Sequence, residues 1–216
     1  MSQINHHLTD ALLMAYSAGT LPEAFSLVVA THISMCDECR AQAGSFDSVG
    51  GQILDDATSE AISDDALAAT LRLIGGAAPE PRAPSTRRAP STFPLPLQDY
   101  VGGDVDAVRW KRLGGGVRQM ILPSSSEASV RLLYIPGGAA VPDHGHRGTE
   151  LTLVLQGAFR DETDRFGVGD IEVATEDLEH KPVAEPGVAC ICLAATDAPL
   201  KFNSVIPRML QPLFKI

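Results

Sequence analysis

A proline-rich stretch from residue 77 to residue 98 divides this chain into two segments with different hydrophobic periodicities. It contains six prolines, at positions 79, 81, 84, 90, 94 and 96. Proline fixes φ and lacks an N–H group, so prolines at this density exclude a long helix or a central strand. The sequence therefore predicts an extended linker over residues 77–98, between a first domain of residues 1–76 and a second of residues 99–216.

The first 76 residues carry a helical pattern. A first helix is expected near Leu8, where apolar residues begin to recur at helical spacing. A second should follow the capping box Thr20–Glu23, a third should begin at Asp37, and a fourth should cover Ser63–Ile74. We therefore predict a small all-α domain before the linker.

After residue 98 the pattern changes to short β segments separated by glycine-rich turns. The expected strands are Ala107–Leu113, Val117–Leu122, Ser129–Ile135, Leu151–Gln156, Ile171–Val173 and Val188–Ala194. Many short strands at this spacing are typical of an antiparallel sandwich or barrel. The sequence thus predicts a two-domain protein, all-α and then all-β.

Charge limits the classes of partner. The net charge is -10 and the pI is about 4.9, which argues against direct nucleic-acid binding and favours a basic protein partner. The excess is concentrated in residues 1–75, which carry ten acidic and two basic residues. We see no signal peptide and no apolar run of about 18 residues, so we expect a cytoplasmic protein with no membrane association. Its four cysteines should be reduced, which favours metal binding over disulfides.

A run of soft ligands in the first domain indicates a metal site. His32 and Cys36 are four residues apart and share a helix face, and Cys39 follows three residues later. Two thiolates and an imidazole suit tetrahedral zinc but leave one position to fill. His6 or His7 can supply it, and we prefer His7 because it is closer to the first helix. The alternative is that both cysteines are small core residues and His32 is a surface histidine.

The second domain contains its own histidine cluster. The pattern Gly138-x5-His144-x-His146-x3-Glu150-x6-Gly157 resembles the first motif of the cupin family, and the segment from Gly169 to His180 resembles the second. Alternate strand residues face one side, so both histidines of the H-x-H pair can point into a barrel.

This resemblance implies a jelly-roll barrel with the ligand set His144, His146, Glu150 and His180. Three imidazoles and a carboxylate accept Zn, Fe, Mn, Ni or Cu, so the ligands do not decide the metal. The second motif departs from the family pattern at Thr175, Asp177 and Ala184. The alternative is a metal-free cupin.

Two further groups have weaker signals. Cys190 and Cys192 share a strand face and are either redox-active thiols, additional ligands or small buried residues, of which we favour the last. The acidic run over residues 160–165 is interpreted as a solvated hairpin and not as a site.

Taken along the whole chain, the run from His7 through His32, Cys36 and Cys39, followed by the cupin motifs, resembles the zinc anti-sigma factors of the ChrR type. The resemblance implies a closed, structural Zn²⁺ site at His7, His32, Cys36 and Cys39, and Zn²⁺ or another divalent metal in the cupin. It also implies a non-enzymatic inhibitor of an extracytoplasmic-function sigma factor, which releases its partner on singlet oxygen or related oxidative stress. The alternative is a cupin metalloenzyme, a dioxygenase or isomerase with an accessory zinc domain.

Overall fold

The computed structural model of the chain describes residues 3–76, 91–142, 144–145, 147–199 and 201–202. The helices are α1 (Asp10–Ser17), α2 (Glu23–Met35), α3 (Asp37–Asp55), α4 (Ala66–Gly76) and α5 (Leu95–Val101), with a 3-10 turn at Val105–Ala107. The strands are β1 (Lys111–Gly114), β2 (Val117–Leu122), β3 (Ser129–Ile135), β4 (His144–Gly145), β5 (Glu150–Gln156), β6 (Ala158–Arg160), β7 (Arg165–Gly167), β8 (Ile171–Ala174), β9 (Glu179–His180), β10 (Val183–Ala184), β11 (Cys190–Thr196) and β12 (Lys201–Phe202). None of the described helices is long and apolar enough to cross a membrane.

The four helices expected in the first segment are confirmed, but the capping box is wrong. Pro22 occupies the N-cap of α2 and contributes no side-chain hydrogen bond, while the Thr20 hydroxyl donates to the carbonyl of Ala15 at 3.1 Å. The Glu23 carboxylate instead accepts from the Tyr100 hydroxyl and from the Ser125 N–H, each at 2.8 Å. A long-range contact has therefore replaced the local cap.

The end of the proline-rich stretch is folded. Of the predicted linker 77–98, residues 77–90 lie outside the described residues. Residues 95–98 belong to α5, which accepts proline because Pro96 sits in its first turn, where an N–H needs no helical partner. Phe93 and Leu97 are both 0% exposed, and Asp104 accepts the N–H groups of Thr92 and Phe93. An extended linker therefore does not describe residues 91–98.

The second segment is all-β, as predicted. Its main sheet has six antiparallel strands in the order β1-β2-β3-β11-β5-β8, and two three-stranded sheets have the orders β10-β6-β7 and β12-β4-β9. The first expected strand, over residues 107–113, is shorter than expected and begins at Lys111, because the 3-10 turn ends at Ala107. Together these sheets form the cupin-like domain.

The six-stranded sheet has two faces of different chemistry. One face joins the helices in a single apolar core, with α2 contacting β3, β5 and β11. Sheet residues in this core are Val130, Leu132, Leu151, Leu153, Leu155, Ile171, Ile191, Leu193 and Ala195. The opposite face carries buried polar side chains, among which Arg131 donates to Gln119 at 3.4 Å. The helical segment therefore packs directly on the cupin-like domain.

Two candidate metal centres

The N-terminal candidate centre brings together His7, His32, Cys36 and Cys39, which we call the His/Cys cluster. One possible ligand atom from each of the four lies within 4.8 Å of the others. His7 Nδ1 lies 3.3 Å from the Cys36 sulfur and 3.6 Å from the Cys39 sulfur. The short turn between α2 and α3 creates this geometry, because it places His32 at the end of α2 and both cysteines at the start of α3.

His32 is the strongest indication that the cluster binds an ion. Its side chain is fully buried, and neither ring nitrogen has a hydrogen-bond partner among the described residues. Burial lowers the pKa of His32 to about 4, and proximity to the main chain of Gly169, which is short of hydrogen-bond geometry, opposes this only in part, so the imidazole is neutral at physiological pH. A buried, neutral and unpartnered imidazole is costly unless a metal takes its lone pair.

The environments of Cys36 and Cys39 also favour a bound cation. Cys36 occupies the N-cap of α3, where its sulfur accepts the N–H of Cys39 at 3.4 Å. The positive end of the α3 dipole therefore faces this sulfur. Burial raises the pKa of Cys39 to about 11 in the absence of an ion, so a cation is needed to hold this sulfur as a thiolate.

The structure also separates the two upstream histidines. His7 presents Nδ1 to the sulfurs and Nε2 to the Glu38 carboxylate at 3.5 Å, the arrangement of a metal ligand with an outer carboxylate partner. His6 turns away, and its Nε2 lies 3.1 Å from Asp164. The preferred candidate, His7, is therefore the histidine that joins the cluster, and the four side chains form a donor set that can hold a metal ion.

The predicted cupin centre is only partly described. His144 forms β4 and pairs with His180 of β9, but the His144 side chain and all of His146 lie outside the described residues. Glu150 begins β5, half-buried, and accepts from the Thr152 hydroxyl at 3.1 Å. His180 is buried. Of the four predicted ligands, the structure thus describes the side chains of Glu150 and His180.

Two carboxylates that the sequence did not single out meet His180. Its Nδ1 lies 2.8 Å from Asp161 and 3.1 Å from Glu172, and the three side chains, which we call the acid/His cluster, also lie within 4.8 Å of one another. Asp161 belongs to the acidic run interpreted as a solvated hairpin, and that interpretation is wrong for this residue, whose side chain is fully buried. Glu172 had a signal, since it is the one charged residue within the apolar strand β8.

Electrostatics in the acid/His cluster favour a protonated histidine. Burial alone lowers the pKa of His180, but hydrogen bonds and charge from Glu172 and Asp161 raise it to about 9. Burial raises the pKa of Glu172 to about 7, and its contact with His180 opposes that rise only in part. Nδ1 of His180 is therefore satisfied by the two carboxylates, and Nε2 is the ring nitrogen that could bind a metal.

Cys190 and Cys192 are fully buried in β11, with their sulfurs 3.4 Å apart. Hydrogen bonding to Cys190, together with burial, raises the pKa of Cys192 well above its ordinary value. Both thiols pack in an apolar cluster with Val154 and Phe159. These observations agree with the interpretation of the pair as small buried residues.

Comparison with known proteins identifies the family. A family model described as the ChrR cupin-like domain matches residues 98–199. The chain is 63% identical over 213 residues to the anti-sigma-E factor ChrR of Cereibacter sphaeroides, and the match covers 99% of each protein. The chain belongs to the ChrR anti-sigma family.

A solved structure of the family supports the same assignment. The chain resembles a chain in the crystal structure of Rhodobacter sphaeroides SigE in complex with the anti-sigma ChrR, with a TM-score of 0.80 and 60% identity. The match covers 90% of this chain and 100% of that one. Helices and sheet are therefore arranged in the ChrR family fold over almost the full length.

Proposed function

We propose that this protein is an anti-sigma factor that binds and inhibits an extracytoplasmic-function sigma factor in the cytoplasm. The whole-length identity of 63% to the anti-sigma-E factor ChrR supports this proposal, because it runs through both the helical segment and the cupin-like domain. The alternative, a cupin metalloenzyme, gains no such support.

The observation that carries the proposal is an apolar face on α4 that none of the described residues covers. None of the residues of α4 is buried, yet Leu67, Leu71 and Ile74 recur at i, i+4 and i+7 with exposed fractions of 69%, 57% and 66%. An apolar stripe at this spacing marks a helix that docks into a groove of a partner. The end of α3 adds exposed Val49, Ile53 and Leu54.

The charge of this region suits the partner. Residues 1–75 carry ten acidic and two basic residues, so the exposed stripe lies in a strongly negative segment. Opposite charge on a partner steers association and excludes wrong partners. We propose that this acidic segment covers a basic surface of the sigma factor, the surface that otherwise contacts core RNA polymerase.

The two candidate centres then have separate roles. We propose that Zn²⁺ at His7, His32, Cys36 and Cys39 holds the helices that contact the sigma factor. A divalent metal at His144, His146, Glu150 and His180 serves the release step. Singlet oxygen or a related oxidant acts at that second site, and the sigma factor is then set free.

The binding proposal is tested on the full chain with Leu71→Asp. A charge in the middle of a docked apolar stripe should weaken binding to the SigE of R. sphaeroides by at least about 30-fold, the size of an interface hot spot. Isothermal titration calorimetry measures the change.

The matched control is Val188→Asp. Val188 is also an exposed aliphatic residue, 65% accessible, but it lies on the cupin-like domain. It should leave the affinity unchanged. Equal binding by the Leu71→Asp protein and the wild type would contradict a docking role for α4.

A further inference from the structure

The segment Ile4–His7, which we call the N-terminal strap, lies against the cupin-like domain just before β8. One carboxylate oxygen of Asp170 accepts the N–H of Asn5 at 2.6 Å and the N–H of His6 at 3.0 Å. The Ile171 N–H donates to the His6 carbonyl at 3.3 Å. The main chain immediately before His7 is thus held by residues 170 and 171 of the other domain.

The strap fits closely against the cupin-like domain. A Cβ atom at Gly169 would lie 2.6 Å from the end of the Ile4 side chain, and φ at this glycine is +92°, so the site excludes larger residues. The His6 ring packs on Phe166, with ring centroids 4.4 Å apart, and its Nε2 lies 3.1 Å from Asp164. Side chains and main chain therefore hold the strap at the same place.

The buried carboxylate of Asp170 holds the N-terminal strap in place. It is 2% exposed, and its second carboxylate oxygen accepts the N–H of Gly167 at 2.8 Å. Burial pushes the pKa of Asp170 upward, but hydrogen bonds from the main chain of Gly167, Asn5 and His6 lower it below its ordinary value. A buried charge with three N–H donors is costly to move, because each donor would lose a charge-assisted hydrogen bond.

The same short segment reaches the acid/His cluster at its other end. Glu172 follows Asp170 by two residues and lies 3.1 Å from Nδ1 of His180. Three consecutive residues, 170–172, therefore contact the strap before His7 on one side and His180 on the other. A cavity of about 610 Å³ lies between the same elements and is lined by His7, Glu172 and Thr175, among others.

We propose that Asp170 is a positioning residue for His7, and that the segment 170–172 transmits the state of His180 to the His/Cys cluster. The proposal deepens the proposed function and rests on it, since it requires zinc at His7, His32, Cys36 and Cys39. When Glu172 moves together with His180, Asp170 is displaced. The N-terminal strap then moves with Asp170. His7 is then misplaced, and the zinc site loosens.

The first experiment measures zinc loss from the full chain. Zinc-loaded protein is mixed with excess chelator, and alkylation of Cys36 and Cys39 is followed by mass spectrometry as the ion leaves. Asp170→Ala should lose this zinc at least about tenfold faster, the lower end of the effect seen when the partner of a metal ligand is removed, because Asp170 holds the main chain before His7 and not its ring. Amide exchange at Asn5 and His6 should rise as well in the zinc-loaded protein, because both N–H groups lose their acceptor.

The matched control is Asp104→Ala. Asp104 makes the same kind of clamp, accepting the N–H groups of Thr92 at 2.8 Å and Phe93 at 2.9 Å, but it does not touch the strap. It should destabilise its own segment and leave zinc release unchanged. Asp170→Asn is the milder variant, which retains one acceptor oxygen and should fall between Asp170→Ala and wild type.

The transmission step is tested by a double-mutant cycle with His180→Ala. Loss of His180 should change the alkylation rate of Cys36 and Cys39 in the wild-type background but not in the Asp170→Ala background. Equal zinc release by wild type and Asp170→Ala overturns the positioning role, and additive effects of the two changes overturn transmission. A wild-type chain that holds no zinc at these cysteines overturns the zinc site on which this proposal rests, whereas the calorimetry of Leu71→Asp tests sigma-factor binding separately.

Discussion

The His/Cys cluster and the acid/His cluster differ in what each needs from an ion. In the first, both ring nitrogens of His32 are buried without a hydrogen-bond partner among the described residues. In the second, Nδ1 of His180 already has two carboxylates within 3.1 Å. One cluster is left unsatisfied by its own side chains, and the other is satisfied by them.

This difference separates a structural site from one that can change state. An unsatisfied buried cluster depends on its ion for folding, since removal of the ion leaves polar atoms with no partner. In the acid/His cluster, a proton on Nδ1 of His180 can keep its contacts with both carboxylates whether or not Nε2 binds a metal. We therefore expect loss of metal to unfold the first site and to leave the second folded.

The largest expected effect comes from Cys39→Ser. A structural zinc site in a small domain contributes about 10–16 kcal/mol, which exceeds the margin of an ordinary fold. The N-terminal helices should unfold and sigma binding should fall by more than 100-fold, as measured by circular dichroism and calorimetry. Cys190→Ser, a buried thiol outside the cluster, should keep both zinc and binding.

A second variant distinguishes loss of a bound ion from simple misfolding. His32→Phe removes the two unpartnered nitrogens and keeps an aromatic ring in the same buried position. It should raise stability if the cluster holds no ion and lower it if the cluster holds zinc. A stabilised His32→Phe protein would break the comparison between the two clusters.

A smaller effect is expected from His144→Ala in the cupin-like domain. Metal content of the second site should fall, while thermal stability and affinity for the sigma factor stay within about twofold of wild type, because the acid/His cluster is satisfied without metal. Release of the sigma factor by singlet oxygen should be blunted in a transcription assay. Normal release would remove the sensing role from this centre.

The smallest effect is a pH dependence of the metal-free second site. The pKa of Glu172 is raised from 4.5 to about 7 and that of His180 from 6.5 to about 9, so the folded protein binds the extra protons. The stability that these bound protons contribute is complete below the ordinary pKa values of 4.5 and 6.5. It is lost as pH rises through the raised pKa values of about 7 and about 9. The contribution of Glu172 and His180 to the melting temperature should therefore decline between about pH 4.5 and pH 9, whereas the lowered pKa of His32 acts in the opposite direction below pH 6.5.

Bound metal sharpens this last test. A metal on His180 replaces a ring proton, so saturation of the second site should flatten the decline above about pH 6.5. Glu172→Gln should flatten the lower part instead. A melting temperature that rises through the same window would show that the acid/His cluster is not protonated as we describe.

Sequence reasoning located the His/Cys cluster because its geometry is local. His32 and Cys36 are brought together by one helical turn, and Cys39 by the start of the next helix. Even His7 could be chosen over His6, because the first helix follows it directly. The helices themselves were also predictable, since hydrophobic periodicity sets them within a few residues.

The contacts that the sequence did not reveal are all long-range. Asp161 meets His180 only because the turn between β6 and β7 returns beside β9, which no local pattern encodes. Asp170 meets the N-terminal strap across more than 160 residues. Glu23 matched a capping signal, yet its carboxylate contacts Tyr100 and Ser125. In each case a tertiary contact decides where the carboxylate lies, and at Glu23 it replaces a local preference.

The two-faced sheet has an evolutionary consequence. Alternate residues of β11 belong to two different cores. Ile191 and Leu193 pack with the helices, while Cys190 and Cys192 face the opposite side of the sheet. A recombination event that joined these helices to an unrelated sensor would expose the apolar face of the six-stranded sheet. An exposed apolar face of this kind promotes aggregation. We therefore expect a change of signal to alter the face of β11 that carries Cys190 and Cys192 and to leave the face of Ile191 and Leu193 unchanged.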